Sequence, residues 1–207
     1  MDEKTVQYYN ENAESLYNFY SSVASGQGIS KYFLSAFPSL NAKILDIGAG
    51  SGRDILELLK HGYDAYGVDA SESLVYTTLT HNPDLKGRLQ VSSLPELKNL
   101  QGKYDSILCS AVLMHIPKRS LFDSACRIRE LLNPNGRLLL SLPKKRTINT
   151  KTFRDLNERL FYPYTGKYIR YLFKKIGFSN IGYWEDSDSL KRSITWITML
   201  FQYSNSH

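Results

Sequence analysis

The sequence predicts an α/β domain with a parallel sheet, helices on both faces of the sheet and an antiparallel hairpin at the end. Between residues 43 and 142, short apolar runs typical of strands alternate with amphipathic stretches typical of helices. This alternation favours parallel strands that are joined by crossover helices. Two further strand-like runs, 181–184 and 194–203, follow each other without a helical stretch between them, and this predicts the hairpin.

The predicted elements follow in a regular order. Apolar and aromatic residues at three- and four-residue steps predict one amphipathic helix over 5–20, and a short helix over 29–36 should end near Pro38. Ser71 is a typical N-cap, Gly62 and Gly177 are typical of helix ends, and residues 133–136 (Asn-Pro-Asn-Gly) predict a turn. The remaining strands are predicted at 43–47, 65–68, 88–91, 104–109 and 137–142, and the remaining helices at 54–61, 120–132 and 168–176.

Length and composition indicate one globular domain. The chain has 207 residues, of which 42% are hydrophobic and 22% charged. No apolar run approaches the roughly 20 residues that cross a bilayer, and the polar start is unlike a secretory signal, so we expect a cytoplasmic protein without a membrane partner. Cys109 and Cys126 lack a C-x-x-C spacing and should remain reduced thiols. The four histidines are far apart in the sequence, and we expect no bound metal.

The chain is basic, with 26 Lys and Arg against 20 Asp and Glu and a net charge of +6. Most of the excess lies in the C-terminal third. Such a surface could dock a nucleic acid or an acidic substrate. Solvated helix faces explain the same pattern and are the favoured interpretation.

A glycine-rich segment follows the first predicted strand, with Gly48, Gly50 and Gly52 in G-x-G-x-G spacing. Glycines there allow a tight turn and let a nucleotide-like ligand touch the backbone. Dinucleotide-binding proteins use G-x-G-x-x-G and place a pyrophosphate at the helix start. Asp46, two residues before the first glycine, would repel a pyrophosphate but suits a cationic amino-acid ligand. These features disfavour a dehydrogenase, and no G-K-[ST] follows to indicate a P-loop.

A second acidic residue, Asp69, ends the second predicted strand. A carboxylate at that place can accept hydrogen bonds from both hydroxyls of a ribose. The alternative interpretation is that Asp69 only begins the next helix.

Four segments together carry a resemblance to a known family. Residues 45–52 (Leu-Asp-Ile-Gly-Ala-Gly-Ser-Gly), 67–71 (Gly-Val-Asp-Ala-Ser), 104–109 (Tyr-Asp-Ser-Ile-Leu-Cys) and 131–138 (Leu-Leu-Asn-Pro-Asn-Gly-Arg-Leu) stand in the order found in class I S-adenosylmethionine-dependent methyltransferases. The chain resembles the small, single-domain members. The resemblance implies a Rossmann-like, seven-stranded, mostly parallel sheet with the last strand antiparallel. It also implies an N-terminal helical lid over 1–40 and an S-adenosylmethionine-binding domain over 41–207.

The resemblance also implies which residues hold the cofactor, S-adenosyl-L-methionine. The three glycines of the loop would line the methionine part, and Asp46 would order the loop or bind the amino group. Asp69 would hold the ribose, Ala70 and Ser93 would lie at the adenine, and Ser110 would approach the sulfonium side. Ser93 stands where the family often has an Asp, and Ser92 is the alternative for this contact. The full cofactor set is Asp46, Gly48, Ala49, Gly50, Gly52, Arg53, Asp69, Ala70, Ser93 and Ser110.

The acceptor side is predicted from three further segments. His115 follows the fourth strand, where it could act as a base or merely order its loop. Tyr9, in the tyrosine-rich first helix, could shield the reaction from water or simply pack on the sheet, and Tyr17 shares that helix. The long stretch 143–164, which holds Arg146, Arg154, Asn157, Arg159, Phe161 and Tyr162, is a candidate substrate loop. The last hairpin and its connection add Trp184, Asp186, Asp188, Arg192 and Trp196, although Asp188 and Arg192 could pair on the surface and the tryptophans could be core.

We therefore predict His115 and Tyr9 as catalytic and Tyr17, Arg154 and Trp184 as substrate-binding residues. Methyl transfer from a sulfonium is an in-line displacement in which alignment can supply much of the rate. The favoured function is methylation of a small molecule by a monomer or homodimer. An RNA or protein methyltransferase that docks through the basic C-terminal third, and a non-catalytic cofactor-binding module, are the alternatives.

Overall fold

The computed structural model describes residues 1–37, 39–100, 102–190 and 192–204. The predicted helix end near Pro38 lies outside the described residues, as does His207. The described residues form a seven-stranded sheet in the order β3-β2-β1-β4-β5-β7-β6. The strands are β1 (Lys43–Ile47), β2 (Asp64–Asp69), β3 (Leu89–Val91), β4 (Tyr104–Ser110), β5 (Leu132–Pro143), β6 (Phe178–Ser187) and β7 (Thr195–Tyr203).

The strand directions confirm the predicted architecture. The pairs β1–β2, β1–β4, β2–β3 and β4–β5 are parallel, whereas β7 is antiparallel to both β5 and β6. The helices are α1 (Glu3–Glu11), α2 (Ala13–Ser21), α3 (Phe33–Ala36), α4 (Arg53–Lys60), α5 (Glu72–His81), α6 (Lys118–Glu130) and α7 (Gly166–Lys175). The last strand is therefore the antiparallel one, as the sequence predicted.

Two apolar layers cover the two faces of the sheet. Successive residues of a strand point to opposite faces, and in β4 Ile107 belongs to one cluster while Leu108 belongs to the other. The first cluster includes residues of α6 and α7, and the second includes residues of α3, α4 and α5. The helices on both faces thus follow from strands that are apolar on both sides.

The predicted helix and turn signals are found where the sequence placed them. The Ser71 hydroxyl accepts a hydrogen bond from the Leu74 N–H and caps α5, and Gly62 and Gly177 have positive φ beyond α4 and α7. The turn at 133–136 lies inside β5 as a bulge, because Leu132 and Arg137 pair with Tyr104 and Ser106 of β4. Four residues of β5 therefore stand opposite Asp105.

The single helix predicted over 5–20 is wrong, because the structure has two helices that meet at Asn12. The backbone there leaves the helical region, with φ −114° and ψ 19°. The Asn12 side-chain amide donates a 2.9 Å hydrogen bond to the Tyr8 carbonyl. A short amide that bonds to the backbone competes with helix continuation. The short helix predicted over 29–36 begins instead as a 3₁₀ turn, Gly28–Tyr32.

None of the helices in the described part of the chain is both long and apolar enough to cross a bilayer.

Candidate functional site

A cavity with a volume of about 210 Å³ opens at the edge of the sheet where β1, β2 and β4 end. This carboxyl edge is where ligands bind in open α/β sheets. The N-terminal helices, the segment 144–165 and the β6–β7 connection also contribute to its wall. Among the predicted residues, the cavity brings together Tyr9, Gly48, Ala49, Gly50, Arg53, Asp69, Ala70, Ser93, Ser110 and His115.

The glycine loop is shaped by close approach and by backbone conformation. A Cβ at Gly48, where φ is +79°, would lie 2.3 Å from Val112 Cγ2. A Cβ at Gly52 would lie 2.6 Å from Leu85 Cδ1. At Gly50 the nearest atom would be 3.9 Å away, so the loop is open on that side. Gly48 and Gly52 are therefore required by packing, while Gly50 leaves room beside the cavity.

Asp69 connects the loop with the start of α5. One carboxylate oxygen accepts from the Gly50 N–H and the other from the Ser71 N–H, each at 2.9 Å. Burial raises the pKa of Asp69, and these backbone hydrogen bonds act in the opposite direction. Each carboxylate oxygen can accept a further hydrogen bond. The group is thus fixed in orientation and still able to bind two hydroxyls.

Asp46 is buried behind the loop, with 2% of its surface exposed. Its Oδ1 atom is buried and has no hydrogen-bond partner among the described residues. Burial, and then the charge of Asp54, raise the pKa of Asp46 well above its usual range. An unpaired buried acceptor is costly, so this position favours a ligand that brings a donor.

Arg53 begins α4 beside this group. It donates to both carboxylate oxygens of Asp54, from Nε at 2.9 Å and from Nη2 at 2.8 Å. Its Nη1 atom makes no hydrogen bond to the described residues and remains available in the cavity wall. A guanidinium group at a helix N-terminus is suited to binding a carboxylate.

Two pairs of serines lie near the carboxyl edge of the sheet, one pair after β3 and the other across β4 and β5. The Ser92 hydroxyl donates to the Lys98 carbonyl at 2.9 Å, whereas the Ser93 hydroxyl makes no hydrogen bond within the described residues. Both serines line the cavity. The Ser110 hydroxyl lies 3.2 Å from that of Ser141, which accepts from the Ala111 N–H at 3.1 Å. Ser141 therefore positions the loop that packs against the glycines.

His115 is buried in the 3₁₀ turn after β4. Its Nδ1 atom lies 2.5 Å from the Leu160 carbonyl oxygen. A carbonyl only accepts, so Nδ1 carries the proton and Nε2 of the neutral ring holds a lone pair. Burial lowers the pKa of His115 to about 4, and the ring is therefore neutral at pH 7.

Aromatic rings surround His115. Tyr9 packs edge-on at a centroid distance of 6.0 Å, and Phe161 does so at 4.6 Å. Burial, followed by the nearby Tyr20, raises the pKa of Tyr9 well above its usual value. The Tyr9 hydroxyl is thus a neutral group, and the rings exclude water from the histidine.

Three arginines lie in this wall that the sequence did not predict as individual site residues. Arg146 and Arg159 donate to Asp155, and Arg192 donates to Asp188 through two 2.8 Å hydrogen bonds. The sequence placed Arg146 and Arg159 in the candidate substrate loop and Arg192 in the last hairpin and its connection, where a surface ion pair with Asp188 was the alternative. No sequence spacing links Arg192 to the other two, because the fold brings the β6–β7 connection to the segment that follows β5.

Five predicted site residues lie outside the cavity wall. Asp46 and Gly52 are buried next to it. Arg154 donates to Asp2 at the start of α1, Tyr17 stacks on His81 with ring centroids 4.4 Å apart, and Trp184 stacks on Tyr32 at 4.5 Å. The structure therefore does not bring Arg154, Tyr17 and Trp184 together with His115.

The described residues contain no cluster of three or more His, Cys, Asp or Glu side chains that could hold a metal ion.

The chain is similar in sequence to known methyltransferases. Residues 26–182 match the sequence model of a family described as a methyltransferase domain. The mitochondrial ubiquinone biosynthesis O-methyltransferase of Schizosaccharomyces pombe is 35% identical over 105 residues, which are 48% of this chain and 37% of that protein. The ubiquinone biosynthesis O-methyltransferase of Coxiella burnetii (strain Dugway 5J108-111) is 30% identical over 113 residues, which are 54% of this chain and 47% of that protein. The matched part thus spans less than half the length of these relatives.

A solved structure shares the fold over almost the whole chain. The 1,6-didemethyltoxoflavin-N1-methyltransferase of Burkholderia thailandensis, with bound 1,6-didemethyltoxoflavin and S-adenosylhomocysteine, aligns with a TM-score of 0.78 and 19% identity. The alignment covers 98% of this chain and 88% of that chain. Because the family model matches most of the sequence, including the glycine loop, Asp69 and His115, the chain belongs to the methyltransferase domain family.

Proposed function

We propose that the chain transfers a methyl group from S-adenosyl-L-methionine to a small-molecule acceptor. The observation that carries this proposal is the position of Asp69, which holds the open glycine loop and lines the same cavity as that loop. A ligand with an amino-acid end and a ribose matches the groups found there. The two relatives described above are both O-methyltransferases, and their activity supports the same reaction class.

The polar groups at the cavity match each part of this cofactor. The unpaired, buried Oδ1 of Asp46 suits an ammonium group, and Nη1 of Arg53 suits the amino-acid carboxylate. Asp69 would bind the ribose hydroxyls, and Ser93, with its hydroxyl free among the described residues, would bind the adenine. When bound, S-adenosylmethionine supplies an electrophilic methyl group on a sulfonium.

His115 and Tyr9 are the proposed catalytic residues. The lone pair on Nε2 of His115 can accept a proton from an acceptor hydroxyl or amine as the new bond to the methyl carbon forms. The hydrogen bond to Leu160 fixes the ring, and Tyr9 and Phe161 exclude water around it. Proximity and alignment supply the rest of the rate.

The elements that form the cavity wall favour a small acceptor over a polymer. The N-terminal helices, proposed as a lid, and the segment after β5 both contribute walls to the cavity. Several basic residues of the C-terminal third are also paired internally: Arg154 with Asp2, Arg159 with Asp155, and Arg192 with Asp188. This pairing leaves fewer free cations for a nucleic-acid surface.

The direct test measures the melting temperature with S-adenosylhomocysteine and with NAD, followed by transfer of a labelled methyl group to a panel of small acceptors. We expect the first ligand to raise the melting temperature and NAD to leave it unchanged. Equal shifts from the two ligands would overturn the cofactor assignment. RNA binding that weakens steeply with salt, together with methylation of that RNA, would favour the polymer alternative.

A further inference from the structure

The acceptor end of the cavity carries an uncompensated positive charge. Asp155 accepts hydrogen bonds from Arg146 at 3.1 Å and from Arg159 at 2.6 and 3.0 Å. Arg192 is paired with Asp188. The three guanidinium groups therefore share two carboxylates. Asp186, which also lines this end of the cavity, is bound by Lys31 and does not balance the surplus.

The surplus positive charge lies in a partly buried part of the cavity wall. Arg159 is 9% exposed. Burial, followed by the charge of Arg159, lowers the pKa of Arg146, and Arg192 contributes to the same effect. Like charges that are brought together away from water are stabilised when an anion joins them.

Arg146 presents its donors in a fixed plane next to His115. Its Cζ atom lies 3.8 Å from the centroid of the Phe161 ring, and that ring lies 4.6 Å from the His115 ring. Within the described residues, Arg146 makes one hydrogen bond, from Nη2 to Asp155. The Nε–H, the Nη1 hydrogens and the second Nη2 hydrogen are therefore available, and this Nη2 hydrogen can pair with Nε or Nη1 to bind a ligand that also reaches the histidine.

We propose that the acceptor carries a carboxylate and that Arg146 binds this group, while Arg159 and Arg192 add to the attraction. The planar fork of an arginine matches a carboxylate in two parallel hydrogen bonds. A monoanion balances one surplus charge, whereas a phosphate dianion would leave a net negative charge in the cavity. This proposal names the acceptor class of the methyltransferase proposed above and depends on that function.

The experiment compares acids with their amides on protein saturated with S-adenosylhomocysteine. The probes are benzoate, phenylacetate, 4-hydroxybenzoate and 4-hydroxycinnamate, each paired with its primary amide, and the measurement is calorimetry. Aromatic probes suit a wall that contains Tyr9, Phe161 and Trp196. We expect at least one acid to bind tenfold or more tightly than its amide.

Variants of Arg146 then test whether this residue causes the preference for an acid over its amide. Arg146→Gln should reduce the acid-over-amide ratio to about one, and Arg146→Lys, which keeps the charge but lacks the fork, should retain part of it. Arg170→Gln is the matched control, because it removes the same charge from an exposed position on α7. It should leave the ratio unchanged.

The outcomes separate the two proposals. If the wild type binds S-adenosylhomocysteine but no acid is preferred over its amide, the carboxylate proposal is overturned and the methyltransferase proposal stands. The same holds if Arg146→Gln keeps its melting temperature, its S-adenosylhomocysteine affinity and the full acid preference. If the wild type fails to bind S-adenosylhomocysteine, the methyltransferase proposal is overturned, and the acceptor proposal with it.

Discussion

Arg154 holds Asp2, the N-cap of α1, through two hydrogen bonds of 3.0 and 2.8 Å. The same Asp2 carboxylate accepts from the Thr5 N–H and hydroxyl. The Thr5 hydroxyl in turn accepts from the Leu160 N–H at 2.9 Å. Residues after β5 therefore fasten α1, which lines the cavity, and Arg154 acts on this helix rather than from within the cavity wall.

Arg154→Gln should speed the dissociation of S-adenosylhomocysteine about fivefold, because loss of this charged contact weakens closure by about 1 kcal/mol. Stopped-flow dissociation measures the rate. Lys4→Gln is the matched control, since Lys4 lies on the same helix and forms an exposed pair with Glu158, and such pairs contribute little. Equal effects of the two variants would speak against closure by Arg154.

Asp69→Ala should weaken the binding of S-adenosylhomocysteine at least tenfold, or about 1.4 kcal/mol. The variant removes the carboxylate proposed for the ribose. Asp64→Ala, at the other end of β2, breaks a bond to Arg88 far from the cavity and should leave the affinity unchanged. Unchanged affinity of Asp69→Ala in calorimetry would mean that the ribose is held elsewhere.

Asp46→Asn should stabilise the ligand-free protein at neutral pH and weaken its binding of S-adenosylhomocysteine. Burial raises the folded-state pKa of Asp46, so the folded state binds a proton more tightly than the unfolded state. Stability from this group is therefore present below the unfolded pKa of about 3.9 and is lost as pH rises through the folded pKa.

Unfolding in denaturant at pH 5 and pH 8 checks this sign. The free energy of unfolding of the Asp46→Asn variant should exceed that of the wild type by a larger amount at pH 8 than at pH 5. A variant that binds S-adenosylhomocysteine as tightly as the wild type would remove Asp46 from the cofactor site.

Gly48→Ala should destabilise the fold more than Gly50→Ala. Both glycines have positive φ, which costs an alanine about 1–2 kcal/mol. Only at Gly48 would the new methyl collide, with Val112, and overpacking adds about 1–3 kcal/mol. Denaturant unfolding measures both variants. Adding Val112→Ala to Gly48→Ala should recover part of the steric loss, and its failure to do so would refute the close-approach argument.

His115 should titrate near pH 4, well below a free histidine, because its ring is buried. NMR of the ring protons follows the titration, and His115→Gln identifies the signal. Since the folded pKa is depressed, protons favour the unfolded state between about pH 6.5 and pH 4, and stability falls as pH decreases through that window. The variant should lose less stability there. A midpoint near 6.5 would contradict the buried, neutral ring.

The cofactor side of the site was predictable because its chemistry is local in sequence. The glycine loop, Asp46 and Asp69 each lie at the end of a strand, and strand ends of a parallel sheet meet at one edge. The break at Asn12 was missed because the apolar periodicity continues across it, while a single side-chain hydrogen bond ends the helix. Arg192 was named on the acceptor side, but its position close to Arg146 was not predicted, because only the folded chain brings the two together.

The attachment of α1 has a consequence for folding and exchange. The residues that hold Asp2 and Thr5 lie 152 and 155 positions away along the chain, and α1 and α2 supply no buried member of the two apolar clusters among the described residues. These contacts close the longest loops and bury little of the common core, so they form late and open first. Amide hydrogens of α1 should therefore exchange through a local opening that leaves the sheet intact, and the protein can admit its ligands without unfolding its centre.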